Sequence, residues 1–143
     1  MPRHDADFRV YYEDTDAGGV MYHAQYLALA ERGRTEAMRS LGAPVAELIR
    51  DFGLGFVVRD VRISYRRPVR LDDLVTVSTW LRELGGASMR MRQSLKCNKQ
   101  VAADLEVELA CIRVANFRPA RIPALWRNVL SGLVNPDAEQ FLS

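Results

Sequence analysis

Cysteine and histidine are scarce in this chain, two of each in 143 residues. Cys97 and Cys111 lack Cys-x-x-Cys spacing, and His4 and His23 are scattered. A zinc site, which draws most of its ligands from such residues, finds no set here, so no metal is expected. A disulfide framework has no material either. The two thiols read as reduced core or strand residues, the usage of a cytoplasmic protein. No apolar run approaches the roughly 18 residues that argue for a membrane span. The opening MPRHDADFRV carries no apolar h-region, so no signal peptide is expected. Net charge is only +2, too mild to point to nucleic acid. A Gly-rich phosphate loop of the dinucleotide type is missing as well, and no cofactor is expected.

What remains is ordinary globular composition, 48% hydrophobic and 27% charged, in a chain of one-domain length. A chain this long buries roughly two-thirds of its unfolded surface, enough for a real core. The expectation is a single domain over 1–143. Phe8 to Tyr12 reads as a short strand. From Ala24 to Leu41, Tyr26, Leu27, Ala30, Ala37, Met38 and Leu41 recur at helical spacing, and Gly42 stops the helix. Gly33 inside that helix costs about 1 kcal/mol against Ala. A close approach of the helix backbone to a sheet would explain it. A short helical turn is expected near Pro44–Phe52.

The next sixty residues change period. Phe56–Tyr65, Leu74–Leu81, the stretch from Ala87 to Lys96, and Asp104–Cys111 alternate as strands. The breaks at 70–73, Gly85-Gly86 and Asn98-Lys99 are tight connections, so neighbouring strands pair antiparallel. A strand, a long helix and then four strands predict the α+β class, with the helix covering one sheet face. In the tail, 117–143, Pro123 and the apolar residues after it suggest a short amphipathic helix.

One segment concentrates reactive groups: YYEDTDAGGVMYHAQY, Tyr11–Tyr26. Asp14 and Asp16 suit turns and helix caps, and Gly18-Gly19 suits any turn needing positive φ. Three sharper readings compete with that bland one. Two carboxylates can share a cation, but no further ligand completes the shell. Aspartyl phosphotransfer uses an Asp-x-Asp, but on parallel α/β scaffolds that this pattern does not predict. The third is a carboxylate acting on an acyl carbonyl at a helix N-terminus. A helix starting near Tyr22–Ala24 presents free N–H groups that can hold a developing oxyanion. Glycines let a substrate approach the backbone, and an Asp can activate water or attack directly. A thiol, with a pKa near 8.5, leaves readily, so the corner suits a thioester better than an amide.

The stretches RVYYEDTDAGGVMYHAQYLALAERGRTEAMR, FVVRDVRISYRRPVRLDD and GGASMRMRQSL resemble the hotdog-fold acyl-CoA thioesterases, in particular the bacterial subgroup associated with the Tol–Pal system. The likeness covers roughly residues 7–118. It implies a hotdog fold, a long central helix wrapped by an antiparallel sheet of about five strands. It implies homodimers with active sites at the subunit interface, sometimes paired into homotetramers. By position, Asp16 matches the catalytic carboxylate, as base or nucleophile. His23 matches a functional histidine whose backbone N–H polarises the thioester carbonyl, and Tyr12 a site tyrosine. Gly19, Val20 and Tyr22 then line the substrate, and Ser88 either faces the site across the interface or is a plain strand serine. Arg66 and Arg67, with Arg90, Arg92, Lys96 and Lys99 as further candidates, would meet the phosphates of coenzyme A or serve as ordinary outward-facing strand residues. Glu31 would hold a strand arginine or sit as a solvated helix acid. The implied substrate is acyl-CoA or an acyl carrier protein thioester. The competing reading is a hotdog module that binds acyl groups or a protein partner with little hydrolysis.

Overall fold

The period-two segments pair into one antiparallel sheet in the computed structural model, which describes residues 2–136. Strands β1 (His4–Arg9), β2 (Leu54–Tyr65), β3 (Leu74–Leu84), β4 (Ser88–Cys97) and β5 (Gln100–Arg113) lie in the order β1-β3-β4-β5-β2. Helix α1 (His23–Ser40) packs on one face, followed by α2 (Val45–Phe52). Helix α3 (Ala124–Leu130) comes after the last strand. The α+β class and the wrapped central helix are as expected.

The first strand departs from expectation. It runs from His4 to Arg9 rather than from Phe8 to Tyr12, and Tyr12–Asp14 forms a 3-10 turn instead. Two acids hide this strand in the sequence. Asp5 and Asp7 accept hydrogen bonds from the Ser78 and Thr76 hydroxyls of β3, each at 2.6 Å. Cross-strand bonds of this kind let acids sit in a strand that propensity disfavours. The hairpin from β4 to β5 turns on Asn98 and Lys99. Both take positive φ, 52° and 63°, as a two-residue type I′ turn requires.

The core lies between α1 and the sheet. Leu29, Ala30 and Ala37 of α1 meet Val75, Val77 and Leu81 of β3 and the alternate residues of β4 and β5 in one apolar cluster. Gly33 is where helix and sheet touch. A Cβ there would lie 2.4 Å from Val77 Cγ1, closer than any real contact. Beside it the buried Gln93 amide donates to Ala30 O (2.8 Å) and Thr79 Oγ1 (3.0 Å). Its Oε1 accepts from Arg34 Nη1 at 3.0 Å. The helix is thus pinned on β3 and β4 by a missing side chain and a satisfied buried amide. Gly33→Ala should gain helix propensity and still lose about 1–3 kcal/mol of stability through overpacking. Urea unfolding of the variant measures the balance, and a midpoint equal to or above wild type would contradict it.

The tail closes one end of the core. Pro123 stands at the N-cap of α3, and Trp126, Leu130 and Leu133 are buried in the main cluster. The tail helix expected from the sequence is therefore Ala124–Leu130, and the rest of that expectation, 137–143, lies outside the described residues. At the other end, the loop from Arg66 to Asp73 returns from β2 to β3 past the ends of β5 and β4. The Arg66 and Arg67 N–H groups bond Ala102 O, and Met21 N–H bonds Val69 O. This crossing loop brings the end of β2 to the start of α1.

Candidate active site

Residues Tyr11–Tyr26 fold into two successive turns that end in α1. The first is held by Asp14. Its side chain is buried, and both carboxylate oxygens are used: Oδ2 accepts from Tyr11 N–H and Oδ1 from Gln25 Nε2, each at 2.8 Å. Asp14 ties the 3-10 turn to the first turn of the helix, which is the turn-forming role its spacing suggested. In Asp14→Asn one of these donors faces an NH₂ group instead of an oxygen. An unsatisfied buried donor costs about 1–3 kcal/mol, so stability should fall by that amount. Turnover per folded molecule should stay within about tenfold, below the range for losing a proton-transfer group. Thermal unfolding and steady-state turnover together check this. A loss of turnover as large as that of Asp16→Asn would mean that Asp14 shares the chemistry.

The second turn carries Asp16. Its N–H bonds Val20 O (2.9 Å), its C=O accepts from Gly19 N–H (3.1 Å), and Oδ1 accepts from Gly18 N–H (2.8 Å). Gly19 has φ +77°, a conformation that costs an L-residue roughly 1–2 kcal/mol. Oδ2 of Asp16 has no partner among the described residues and the side chain is exposed. Asp16 therefore has one oxygen fixed by the backbone and one available.

Asp16, His23, Tyr26, Tyr65, Arg66 and Arg67 line one open cleft of about 410 Å³. No side chain caps α1. Gln25 N–H turns back to Tyr22 O, while the amides of His23 and Ala24 occupy the first turn, where a helix has no internal acceptors to offer. The positive end of the helix dipole points the same way. Aromatic rings fix the His23 position. Tyr65 Oη donates to His23 O at 2.9 Å, and the Tyr65 ring stands edge-on to the His23 imidazole with centroids 6.5 Å apart. Tyr26 packs edge-on to Tyr65 at 5.1 Å. Burial raises the pKa of its phenol, which donates to Arg67 O at 3.3 Å.

The structure collects most of the residues expected at this corner. Val20 and His23 line the same cleft as Asp16, and the Tyr22 ring packs tilted against His23 with centroids 4.3 Å apart. Tyr12 and Gly19 lie with Asp16 along an adjoining cleft of about 450 Å³. Arg66 reaches the corner but is also paired with Asp104 of β5. Two expected residues are elsewhere within this chain. Ser88 opens β4 opposite Ala110, at the other end of the sheet, and Arg90 pairs with Glu83 there. Three residues that the sequence did not single out for the site are Gln25, Tyr26 and Tyr65. An aromatic at the end of β2, just before Arg66-Arg67-Pro68, was the available signal for Tyr65. Among the described residues no group of three or more His, Cys, Asp or Glu side chains is placed to hold a metal. None of their helices is long and apolar enough to cross a membrane.

A family profile described as thioesterase superfamily matches residues 18–103. The acyl-CoA thioesterase YbgC of Haemophilus influenzae is 42% identical over 115 residues, 80% of this chain and 85% of that protein. Among solved structures, a probable thioesterase from Bartonella henselae is 38% identical, with a TM-score of 0.80 over 85% of this chain and 99% of the other. A DHNA-CoA thioesterase from Staphylococcus aureus has a TM-score of 0.86 at 24% identity, over 92% and 90% of the two chains, and speaks for the fold alone.

Proposed function

The chain belongs to the thioesterase superfamily, a hotdog-fold enzyme family, and on that premise we propose that it hydrolyses acyl-CoA thioesters with Asp16 as the reacting carboxylate. The observation that carries this reading is the pairing of two features on one cleft. Asp16 has one oxygen held by Gly18 N–H and one open, and the uncapped start of α1 presents its first-turn amides beside it.

The chemistry follows from that pairing. The thioester carbonyl oxygen accepts hydrogen bonds from the amides around His23, and these strengthen as negative charge builds on it. Asp16 Oδ2 either takes a proton from an attacking water or attacks the carbonyl carbon itself. In the first route the tetrahedral adduct collapses, the C–S bond breaks, and the acid and thiol leave. In the second the C–S bond breaks to give an acyl–carboxylate anhydride, which water then hydrolyses. Both routes end in the same products. The thiol departs as its low-pKa thiolate, so no strong general acid is needed for the leaving group.

Arg66 and Arg67 line the same cleft, and in this reading they meet the phosphates of coenzyme A, as arginine does through charge-assisted bonds. An acyl carrier protein carries the same thioester on a phosphopantetheine arm and fits the mouth equally in chemistry. The test is thiol release from a panel of acyl-CoA and acyl carrier protein thioesters, with Asp16→Asn alongside. Turnover that depends on Asp16 supports the reading; no turnover of any thioester overturns it. The family resemblance also implies a homodimer or homotetramer, and β2 is a long strand with β5 on one side and, among the described residues, no strand on the other. Such edges are usually covered.

A further inference from the structure

The end of the sheet opposite the Asp16 corner carries an unusual turn. β5 ends at Arg113, and the chain reverses through residues 114–117 and returns at Arg118. Arg113 N–H bonds Arg118 O at 2.8 Å, and Phe117 N–H bonds Arg113 O at 2.7 Å. Phe117 stands on this turn with φ +59°, a left-handed conformation that is a true outlier for a bulky side chain. It is also 71% exposed. The chain therefore holds an aromatic ring out in water on a backbone that glycine would adopt more readily.

Three more apolar side chains sit beside it. Val114 N–H bonds Gly53 O at 3.0 Å, and Gly53 N–H bonds Ile49 O at 3.0 Å, so the turn abuts the C-terminal end of α2. Ile49, Phe52 and Val114 are 48%, 48% and 45% exposed. Arg113 and Arg118 flank the turn, both exposed and without an acidic partner among the described residues. Arg50 of α2 is neutralised by Asp51 at 2.9 Å. The two clefts at the Asp16 corner take none of these side chains. Leu54, paired with Arg113, and Tyr65, in the Asp16 cleft, are the first and last residues of β2, a 12-residue strand spanning about 36 Å.

An apolar tip with unpaired arginines at its base fits a partner built in two layers, anionic outside and apolar within. A bilayer with anionic headgroups has that order. Aromatic and aliphatic side chains enter the acyl boundary, and arginines stay among the headgroup phosphates. An acidic protein would supply the charge, but it would need a preformed hollow for the projecting ring and a matched area far larger than one turn. A lipid boundary needs no matched shape. We propose that the Phe117 turn and the end of α2 form a docking site for an anionic membrane surface, with Phe117 as the inserted side chain and Arg113 and Arg118 on the headgroups. The attachment is peripheral. It lies at the other end of the sheet from Asp16, so it is tested apart from turnover.

Co-sedimentation with vesicles tests the site, using phosphatidylcholine alone and phosphatidylcholine mixed with phosphatidylglycerol. The proteins are wild type, Phe117→Gly and the double variant Arg113→Glu/Arg118→Glu. Wild type should pellet with the anionic vesicles, far less with the neutral ones, and added salt should release it. Each arginine near such a surface contributes about fivefold in partitioning, so reversing both should weaken binding by at least about twentyfold. Phe117→Gly removes the inserted ring and should weaken it by at least about tenfold. Glycine adopts φ +59° freely, so the urea midpoint of this variant should not fall. A ring needed for packing would lower that midpoint, which would overturn the proposal. So would equal partitioning of wild type and Phe117→Gly, or of wild type between the two kinds of vesicle. Wild type that stays in the supernatant with the anionic vesicles overturns it as well, and would turn the search for the tip's occupant to an acidic protein.

Discussion

Asp16→Asn should lower kcat for acyl-CoA hydrolysis by roughly 10²–10⁴, the range for losing a positioned proton-transfer group. The fold should survive. Asn keeps a side-chain oxygen that can accept the Gly18 N–H bond, and the exposed side chain contributes nothing to the core. What it loses is the open carboxylate oxygen, the only part of the side chain that can take a proton or attack a carbonyl. The expected profile is therefore a wild-type unfolding transition with little thiol release. Substrate binding should persist, because the arginines and first-turn amides are untouched; KM should change far less than kcat. Thiol release close to wild type would sink the assignment. A kcat loss accompanied by a lowered unfolding midpoint would instead move Asp16 into the structural role that Asp14 holds.

The contrast between these two aspartates marks where the sequence stops being readable. Both suit a turn by residue type, and Asp-x-Asp alone does not rank them. Only the fold shows both Asp14 oxygens taken by Tyr11 N–H and Gln25 Nε2, with Asp16 left half free. The long helix and the four strands after it were legible because their periods are clean over eight or more residues. Gly33 was legible as a close approach because a mid-helix glycine needs a reason, and Val77 supplies it. β1 was misplaced because its Asp5 and Asp7 are satisfied by hydroxyls some seventy residues away in sequence. Tyr65 escaped notice for a similar reason. Its hydrogen bond to His23 O spans 42 residues and depends on how far the crossing loop slides β2 against α1. No local pattern encodes that register. Ser88 presents the opposite case: its residue match was legible, yet a single chain holds it at the far end of the sheet from Asp16.

His23→Ala separates two contributions that the same residue can make. Its backbone N–H stands in the uncapped first turn of α1, and alanine there preserves that donor. Alanine is also the best helix former, so the helix start should not suffer. If the N–H were the whole contribution, kcat would fall less than about tenfold. The side-chain packing points to more. Tyr22 packs tilted against the imidazole at 4.3 Å, Tyr65 stands edge-on to it, and the ring lines the cleft that Asp16 opens on. These contacts hold the exposed imidazole on the cleft side of the helix start. An imidazole so placed can hydrogen-bond the thioester or pass a proton between water and carboxylate. The expected loss is therefore in the general acid–base range, about 10²–10⁴ in kcat. His4 cannot substitute, because it lies in β1 at the opposite edge of the sheet from β2 and Tyr65. The measurement is kcat for His23→Ala and for Tyr65→Phe on one acyl-CoA. Tyr65→Phe keeps the ring contact and removes only the bond to His23 O, so it should cost far less. A His23→Ala loss below tenfold would assign the residue's role to its backbone alone, leaving Asp16 as the one reacting side chain at the corner.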